Sequence, residues 1–349
     1  MNASLQKLRL SFAKYSIDAF LVTDDVNIRY LTGYPCQESW LLILPRHVYY
    51  LTDSRYSLDA RRHFGRINVV ECKKSAFDSV ADLVSKRKVH SLGFDERHLV
   101  VVSFRRLKKA LTRKVRLIGT QGLIENIRAV KRENEVAAIR KALCFHNECY
   151  QYLKTIIRPG QAEHQILEKL ERFVLRHQQI FSFPPIIASG PNSCLPHARI
   201  SDRKIKKNDL VLVDMGIEVN GYKSDLTRMF FLGKIPHLVR EVCEAVAQAQ
   251  RLAIAQIKPG VLAKDVDSCA RNFLKEKKLG AYFSHSLGHG IGLEVHEKPG
   301  LSPRSPSVLE KGMVLTVEPG VYIPGRFGVR IEDMVLVTSQ GAKVLSGLI

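Results

Sequence analysis

Residues 210–227 read Leu-Val-Leu-Val-Asp-Met-Gly-Ile-Glu-Val-Asn-Gly-Tyr-Lys-Ser-Asp-Leu-Thr. An apolar, β-branched run breaks at Asn220-Gly221 and resumes toward Met229-Phe230-Phe231. Asn-Gly between two such runs is the strongest short-range hairpin signal in a sequence. Each arm carries one aspartate, Asp214 and Asp225, where a buried strand would ordinarily carry valine. A carboxylate taken into a sheet without a cation costs several kcal/mol, or its pKa rises until it is neutral. Two of them facing each other across a hairpin call for a divalent metal between them.

Sequence further along supplies partners of the same kind. Residues 285–292, His-Ser-Leu-Gly-His-Gly-Ile-Gly, are too glycine-rich for a helix and lead into Leu-Glu-Val-His296-Glu. Residues 314–320, Val-Leu-Thr-Val-Glu-Pro-Gly, read as a strand whose last residue before proline is acidic. Residues 328–337, Gly-Val-Arg-Ile-Glu-Asp-Met-Val-Leu-Val, place another acid inside a β-rich run. Asp214, Asp225, Glu318 and Glu332 are thus expected to be four strand-borne carboxylates, with His289, in a core otherwise made of Val, Leu and Ile. Two divalent ions would balance their charge. A mostly oxygen site with one imidazole favours Mn²⁺, Co²⁺ or Fe²⁺ over structural zinc. The chemistry implied is hydrolysis by a metal-bridging water.

These motifs sit in a repeated frame. Helix patterns at 133–157 and 163–178 flank Arg158-Pro159-Gly160; helix patterns at 239–257 and 264–277 flank Lys258-Pro259-Gly260. Pro and Gly after a helix are stop signals. Each pair is followed by strand-rich sequence. Helix, Pro-Gly, helix, hairpin, written twice, predicts two halves related by a pseudo-twofold with a shared site between them.

Ahead of this lies a different texture. A short helix at 5–15, strands at 19–23, 40–44, 48–51, 91–94 and 116–118, and helices at 55–64, 76–86 and 103–111 predict an α/β unit with a central sheet. Asp53, His63, His90 and His98 have no partner there at a useful spacing. The chain divides at residues 123–128, giving domains 1–128 and 129–349.

Composition sets the limits. The 349 residues are 45% hydrophobic and 25% charged, which suits two globular domains and excludes disorder. No apolar run reaches the length of a membrane span, and the N-terminus lacks a signal-peptide core, so a cytoplasmic enzyme is expected. The seven cysteines are scattered singly, which suits reduced thiols. The charge of +20 is spread over both halves, with one denser cluster between Arg105 and Arg116. That cluster lacks aromatic interleaving and fits no nucleic-acid module, so it reads as a solvated helix face and a nucleic-acid partner is not expected.

Taken together, Val-Asp214-Met-Gly, Ser-Asp225-Leu-Thr-Arg, Gly-His289-Gly-Ile-Gly-Leu-Glu-Val-His, Thr-Val-Glu318-Pro-Gly and Val-Arg-Ile-Glu332-Asp resemble the pita-bread metallopeptidases. Within them the chain is similar to the Xaa-Pro branch of prolidase (Xaa-Pro dipeptidase) and aminopeptidase P. The resemblance is strong over residues 130–349. It is looser over the first domain, resting on residues 27–33 and Asp53-Ser54-Arg55-Tyr56. It implies an α+β chain: a C-terminal pita-bread domain with an internal pseudo-twofold, preceded by a smaller α/β creatinase-type domain.

Residue by residue, the resemblance implies that Asp214 chelates one metal, that His289 with Glu318 holds the other, and that Asp225 and Glu332 bridge them. The ions would be two divalent cations, Mn²⁺ ahead of Co²⁺ or Fe²⁺. It places His197 and His296 over the substrate, His285 at the proline side, and Arg330 behind Glu332 and the other carboxylates. Glu318 would shuttle the proton. Cys194 stands where a small residue such as alanine is usual. The expected substrates are X-Pro dipeptides or short peptides, with a homodimer as the assembly. The short two-domain form and the abundance of arginine favour the dipeptidase over the aminopeptidase. Two alternatives remain: a methionine aminopeptidase of the same fold, against which the first domain and the contexts of His197 and His296 argue, and an inactive binding protein, against which the complete ligand set argues.

Overall fold

The computed structural model describes residues 3–347. They form two compact units that divide between Arg128 and Ala129. In the first, a six-stranded sheet runs in the order Asn68–Glu71, Val48–Thr52, Trp40–Ile43, Ala19–Val22, Ser91–Asp95, Arg116–Thr120. Trp40–Ile43 is antiparallel to both neighbours, and the remaining pairs are parallel. The central strand Ala-Phe-Leu-Val is buried at every position, as a strand covered on both faces must be. Asn68–Glu71 is a strand the sequence reading lacks: its residues are half-buried or exposed, so it shows no continuous apolar run. Residues 123–128, read as the dividing segment, lie in a helix, Leu123–Ala129. Asp53 and His98, read as unpartnered, have partners. Asp53 caps the helix Ser54–His63 through the Arg55 N–H, and His98 Nε2 lies 2.7 Å from Glu125 Oε1.

The second unit carries the repeat. Helices Glu133–Ile156 and Glu163–Arg176 belong to the first half, His237–Gln256 and Ala263–Glu276 to the second. The buried positions recur at an offset of 100 residues. Ala142, His146, Cys149, Leu153 and Ile157 match Val242, Val246, Ala249, Ala253 and Ile257, and Ile166, Leu170 and Val174 match Val266, Ala270 and Leu274. This three-and-four spacing puts one apolar stripe of each helix against the sheets. The links between the helices match too. Gly160 and Gly260 have φ of 91° and 89°, and their N–H groups donate to Ile205 O and Leu309 O.

The strands of this unit fall into four small sheets. Two of them carry or adjoin the motif residues: Leu226–Phe231, Leu210–Met215 and Ile186–Ser189 in that order, and Glu297–Leu301, Gly288–Gly290, Val314–Val317, Asp333–Thr338 and Gly341–Val344 in that order. All seven cysteines are free. No helix among the described residues is long and apolar enough to cross a membrane.

Candidate metal centre

The hairpin forms where Asn-Gly predicts it. Asn220 and Gly221 both have positive φ, 54° and 84°, as a two-residue type I′ turn requires. Its arms come in two pieces. Ile217–Val219 pairs with Tyr222–Lys223, and Leu210–Met215 pairs with Leu226–Phe231. The aspartates do not face each other in register, contrary to expectation: Asp214 is opposite Thr227. The ladder breaks at Gly216, where a Cβ would lie 2.2 Å from Ser224 O, and the Ser224 hydroxyl takes the Ile217 N–H at 3.0 Å. Asp225 therefore enters one residue ahead of its strand.

The other acids show the same placement. Glu318 follows the strand Val314–Val317, and Glu332 sits between Phe327–Arg330 and Asp333–Thr338. Only Asp214 lies inside a strand, which corrects the expectation of four strand-borne carboxylates. At a strand end the chain leaves the strict alternation of the pleat, so side chains from different sheets can aim at one point. His289 lies in the short strand Gly288–Gly290. Its flanking glycines are obligatory: a Cβ on Gly288 would lie 2.1 Å from Thr316 O, and one on Gly290 2.2 Å from Lys298 O.

These side chains converge. Donor atoms of Asp225, His289 and Glu332 all lie within 4.8 Å of one another. His289 Nε2 is 3.6 Å from Asp225 Oδ2 and 3.3 Å from Glu318 Oε1. Its Nδ1 is 3.1 Å from Gly290 O; a carbonyl only accepts, so Nδ1 carries a proton and Nε2 is the ring nitrogen turned toward the carboxylates. Asp214 Oδ1 and Glu332 Oε1 are buried and have no hydrogen-bond partner.

At three of the four acids the electrostatics point the same way. Burial, then the charges of Glu332, Asp214 and Glu318, push the Asp225 carboxyl well above its ordinary range. Burial, then Glu318 and Asp214, do the same to Glu332. Burial raises Asp214 as well, against the pull of Arg330. Orphaned carboxylate oxygens, an inward imidazole nitrogen and four acids beside one arginine form a donor set that fits divalent cations.

A cavity of about 570 Å³ opens onto this cluster and is lined by all nine residues singled out from the sequence: His197, Asp214, Asp225, His285, His289, His296, Glu318, Arg330 and Glu332. The His296 ring stands edge-on to His289 at 4.4 Å. His285 Nε2 is 3.0 Å from the Tyr322 hydroxyl. Arg330 donates to that hydroxyl at 2.6 Å and pairs with Asp214 at 2.5 Å. It reaches Glu332 only indirectly: its Nε donates to Thr227 Oγ1, which donates to Glu332 Oε2.

Thr227 and Tyr322 are thus site residues the sequence reading missed, although Thr227 stands close after Asp225 and Tyr322 close after Glu318. Also missed was a buried ion pair. Lys131 Nζ lies 3.1 Å from Glu297 Oε2, while Glu297 Oε1 accepts the N–H groups of Leu293 and Glu294 and so closes the loop before His296. Nothing in the spacing of positions 131 and 297 joins them.

Residues 137–339 match the model of metallopeptidase family M24, and residues 5–130 match the creatinase/prolidase N-terminal domain. The chain belongs to metallopeptidase family M24. Among solved structures, an Xaa-Pro dipeptidase from Bacillus anthracis superposes with a TM-score of 0.95 at 36% identity, covering 99% of this chain and 97% of that one. An X-Pro aminopeptidase from Thermotoga maritima MSB8 gives 0.89 at 34%, with 97% and 98% covered. The Xaa-Pro dipeptidase of Pyrococcus furiosus is 34% identical over 99% of this chain and 98% of its own length. This M24 member is therefore a metallopeptidase with the α+β pita-bread architecture behind a creatinase-type N-terminal domain.

Proposed function

We propose that this M24 enzyme hydrolyses the X-Pro bond of dipeptides, using two divalent ions of which Mn²⁺ is the first choice and Co²⁺ or Fe²⁺ the alternatives. The observation that carries the reading is the single cavity lined by four carboxylates and four histidines, two of the carboxylates keeping an orphaned oxygen. Relatives named Xaa-Pro dipeptidase match over nearly the whole chain and support the substrate class. Asp214 would hold one ion, His289 with Glu318 the other, and Asp225 with Glu332 would bridge. When bound, such ions supply Lewis acidity and hydroxide at neutral pH.

The protein's own side chains do the rest. Glu318, beside His289, is the carboxylate we assign to carry a proton to the leaving nitrogen. His296 and His197 line the cavity where the carbonyl oxygen gains charge, and donate to it. His285 and Arg330 bound the proline side. Proline's nitrogen has no N–H to read, so recognition rests on fit. Phe183, Ile186 and Val295 add apolar lining, and each CH₂ of the ring buried there contributes about 0.8 kcal/mol.

We also propose a homodimer and a cytoplasmic location, both on the likeness to the Xaa-Pro branch. Comparing kcat/KM for Met-Pro, Met-Ala and an X-Pro-Pro tripeptide tests the substrate. The expected order is Met-Pro first and Met-Ala far behind. Faster tripeptide turnover makes the enzyme an aminopeptidase, and equal turnover of Met-Pro and Met-Ala overturns the reading.

A further inference from the structure

The repeat has a feature that packing does not require. At matching positions of the two long helices stand Tyr150 and Gln250, both buried, each on a stripe otherwise made mostly of apolar residues. Each reaches into the sheets and binds two backbone carbonyls. The Tyr150 hydroxyl lies 3.0 Å from Val213 O and 2.8 Å from Leu226 O. Gln250 Nε2 donates to Val317 O at 3.0 Å and to Ile331 O at 3.2 Å. These four carbonyls belong to residues adjacent in sequence to Asp214, Asp225, Glu318 and Glu332 respectively.

We infer that Tyr150 and Gln250 are paired positioning residues that fix the separation of the two carboxylates in each half, Asp214 with Asp225 and Glu318 with Glu332. A buried polar side chain needs partners: one carbonyl would satisfy the single Tyr150 proton, and the two N–H groups of Gln250 could find both acceptors on one segment. Instead each side chain spans two segments, and each segment carries one acid. Three of the four acids stand at strand ends, just beyond the last ladder pairs, Leu226 with Met215 and Val317 with Asp333. A shared hydroxyl proton in one half and the two N–H groups of an amide in the other reinforce the spacing there by different chemistry at the same helical position. Tyr150 and Gln250 touch no donor oxygen; they act through the backbone on where the oxygens stand.

The inference rests on the two-ion reading of the site, and one experiment separates the two. Chelator-stripped wild type, Tyr150→Phe and Gln250→Met are titrated with Mn²⁺ by calorimetry, alongside thermal melts of the stripped proteins. Both variants keep the size of the side chain and remove the donor. The expected result is two ions bound by wild type, with affinity in each variant weakened about tenfold or more, as for other groups that orient ligands from behind. Wild type binding no Mn²⁺ overturns the two-ion reading itself. Wild type binding two ions while both variants bind them unchanged, with only the melting temperature lowered, overturns the inference and leaves the two residues as packing groups. If Gln250→Met does not fold, Tyr150→Phe alone decides, because its ring and packing are retained.

Discussion

Each unit of this protein buries a cluster of charged side chains, and the two clusters differ in how they are neutralised. In the N-terminal unit Glu125 receives the Asn27 amide at 2.9 Å, His98 at 2.7 Å and Arg97 at 2.7 Å, and Arg128 donates to Asn27. Burial opposes ionisation of Glu125, yet the hydrogen bonds from His98 and Asn27 bring its pKa down to about 2, and the same carboxylate holds His98 up. In the C-terminal unit Asp225 and Glu332 are pushed the other way, by burial first and then by the neighbouring carboxylates, where four acids share one arginine and one imidazole. The first cluster brings its own cations. The second is short of positive charge, and that deficit is the mark of a site built for ions from solution.

The comparison is sharpened most by removing charge from each cluster in turn. Asp225→Asn or Glu332→Gln should lower turnover of Met-Pro by roughly a thousandfold or more and reduce bound metal, since in the proposed ligand set each would take a bridging charge from between two cations. Elemental analysis of the purified variants, with folding checked by circular dichroism, reads this out. Normal activity and metal content in either would show that the deficit is not what the ions answer.

His296→Ala should behave differently. With its ring against His289 but no place in the ligand set proposed here, it is expected to cost about a hundredfold in kcat while the metal stays bound. A variant that purifies without metal would make His296 a ligand.

The smallest effect belongs to the N-terminal cluster. Glu125→Gln should cost about 2 kcal/mol of stability, because it takes the buried carboxylate from Arg97 and His98, and should leave metal content unchanged. The pH dependence has a definite sign. The folded pKa of Glu125 lies below its unfolded value near 4.5, so the stabilisation is complete above about pH 4.5 and is lost as pH falls toward 2. Urea unfolding between pH 5 and 3 should show a shallower acid loss in the variant. An identical slope would mean that Glu125 is not held ionised.

The difference between the clusters also explains what could be read from the sequence. Carboxylates in Val-, Leu- and Ile-rich runs announce themselves because nothing near them in sequence can neutralise them, so Asp214, Asp225, Glu318 and Glu332 stood out. The Pro-Gly links and the stripes offset by 100 residues exposed the repeat for a related reason: helical packing is periodic and local. Glu125 was invisible as a paired acid, because Asn27 and His98 lie 98 and 27 residues away. Lys131 with Glu297 and Tyr150 with Val213 were hidden by the same long separations. The facing of Asp214 and Asp225 failed because a two-residue turn at Asn220-Gly221 pairs Val219 with Tyr222 and, in the same register, Asp214 with Thr227. The position of the turn in the sequence already implies that register. Asn68–Glu71 was missed because an edge strand need not be apolar.

The most direct test of the account is to strip the protein with chelator and follow Met-Pro hydrolysis while Mn²⁺ is added back. The account predicts no turnover in the stripped enzyme and activity that rises to a plateau at two ions per chain. Met-Pro turnover that survives complete removal of metal would contradict it.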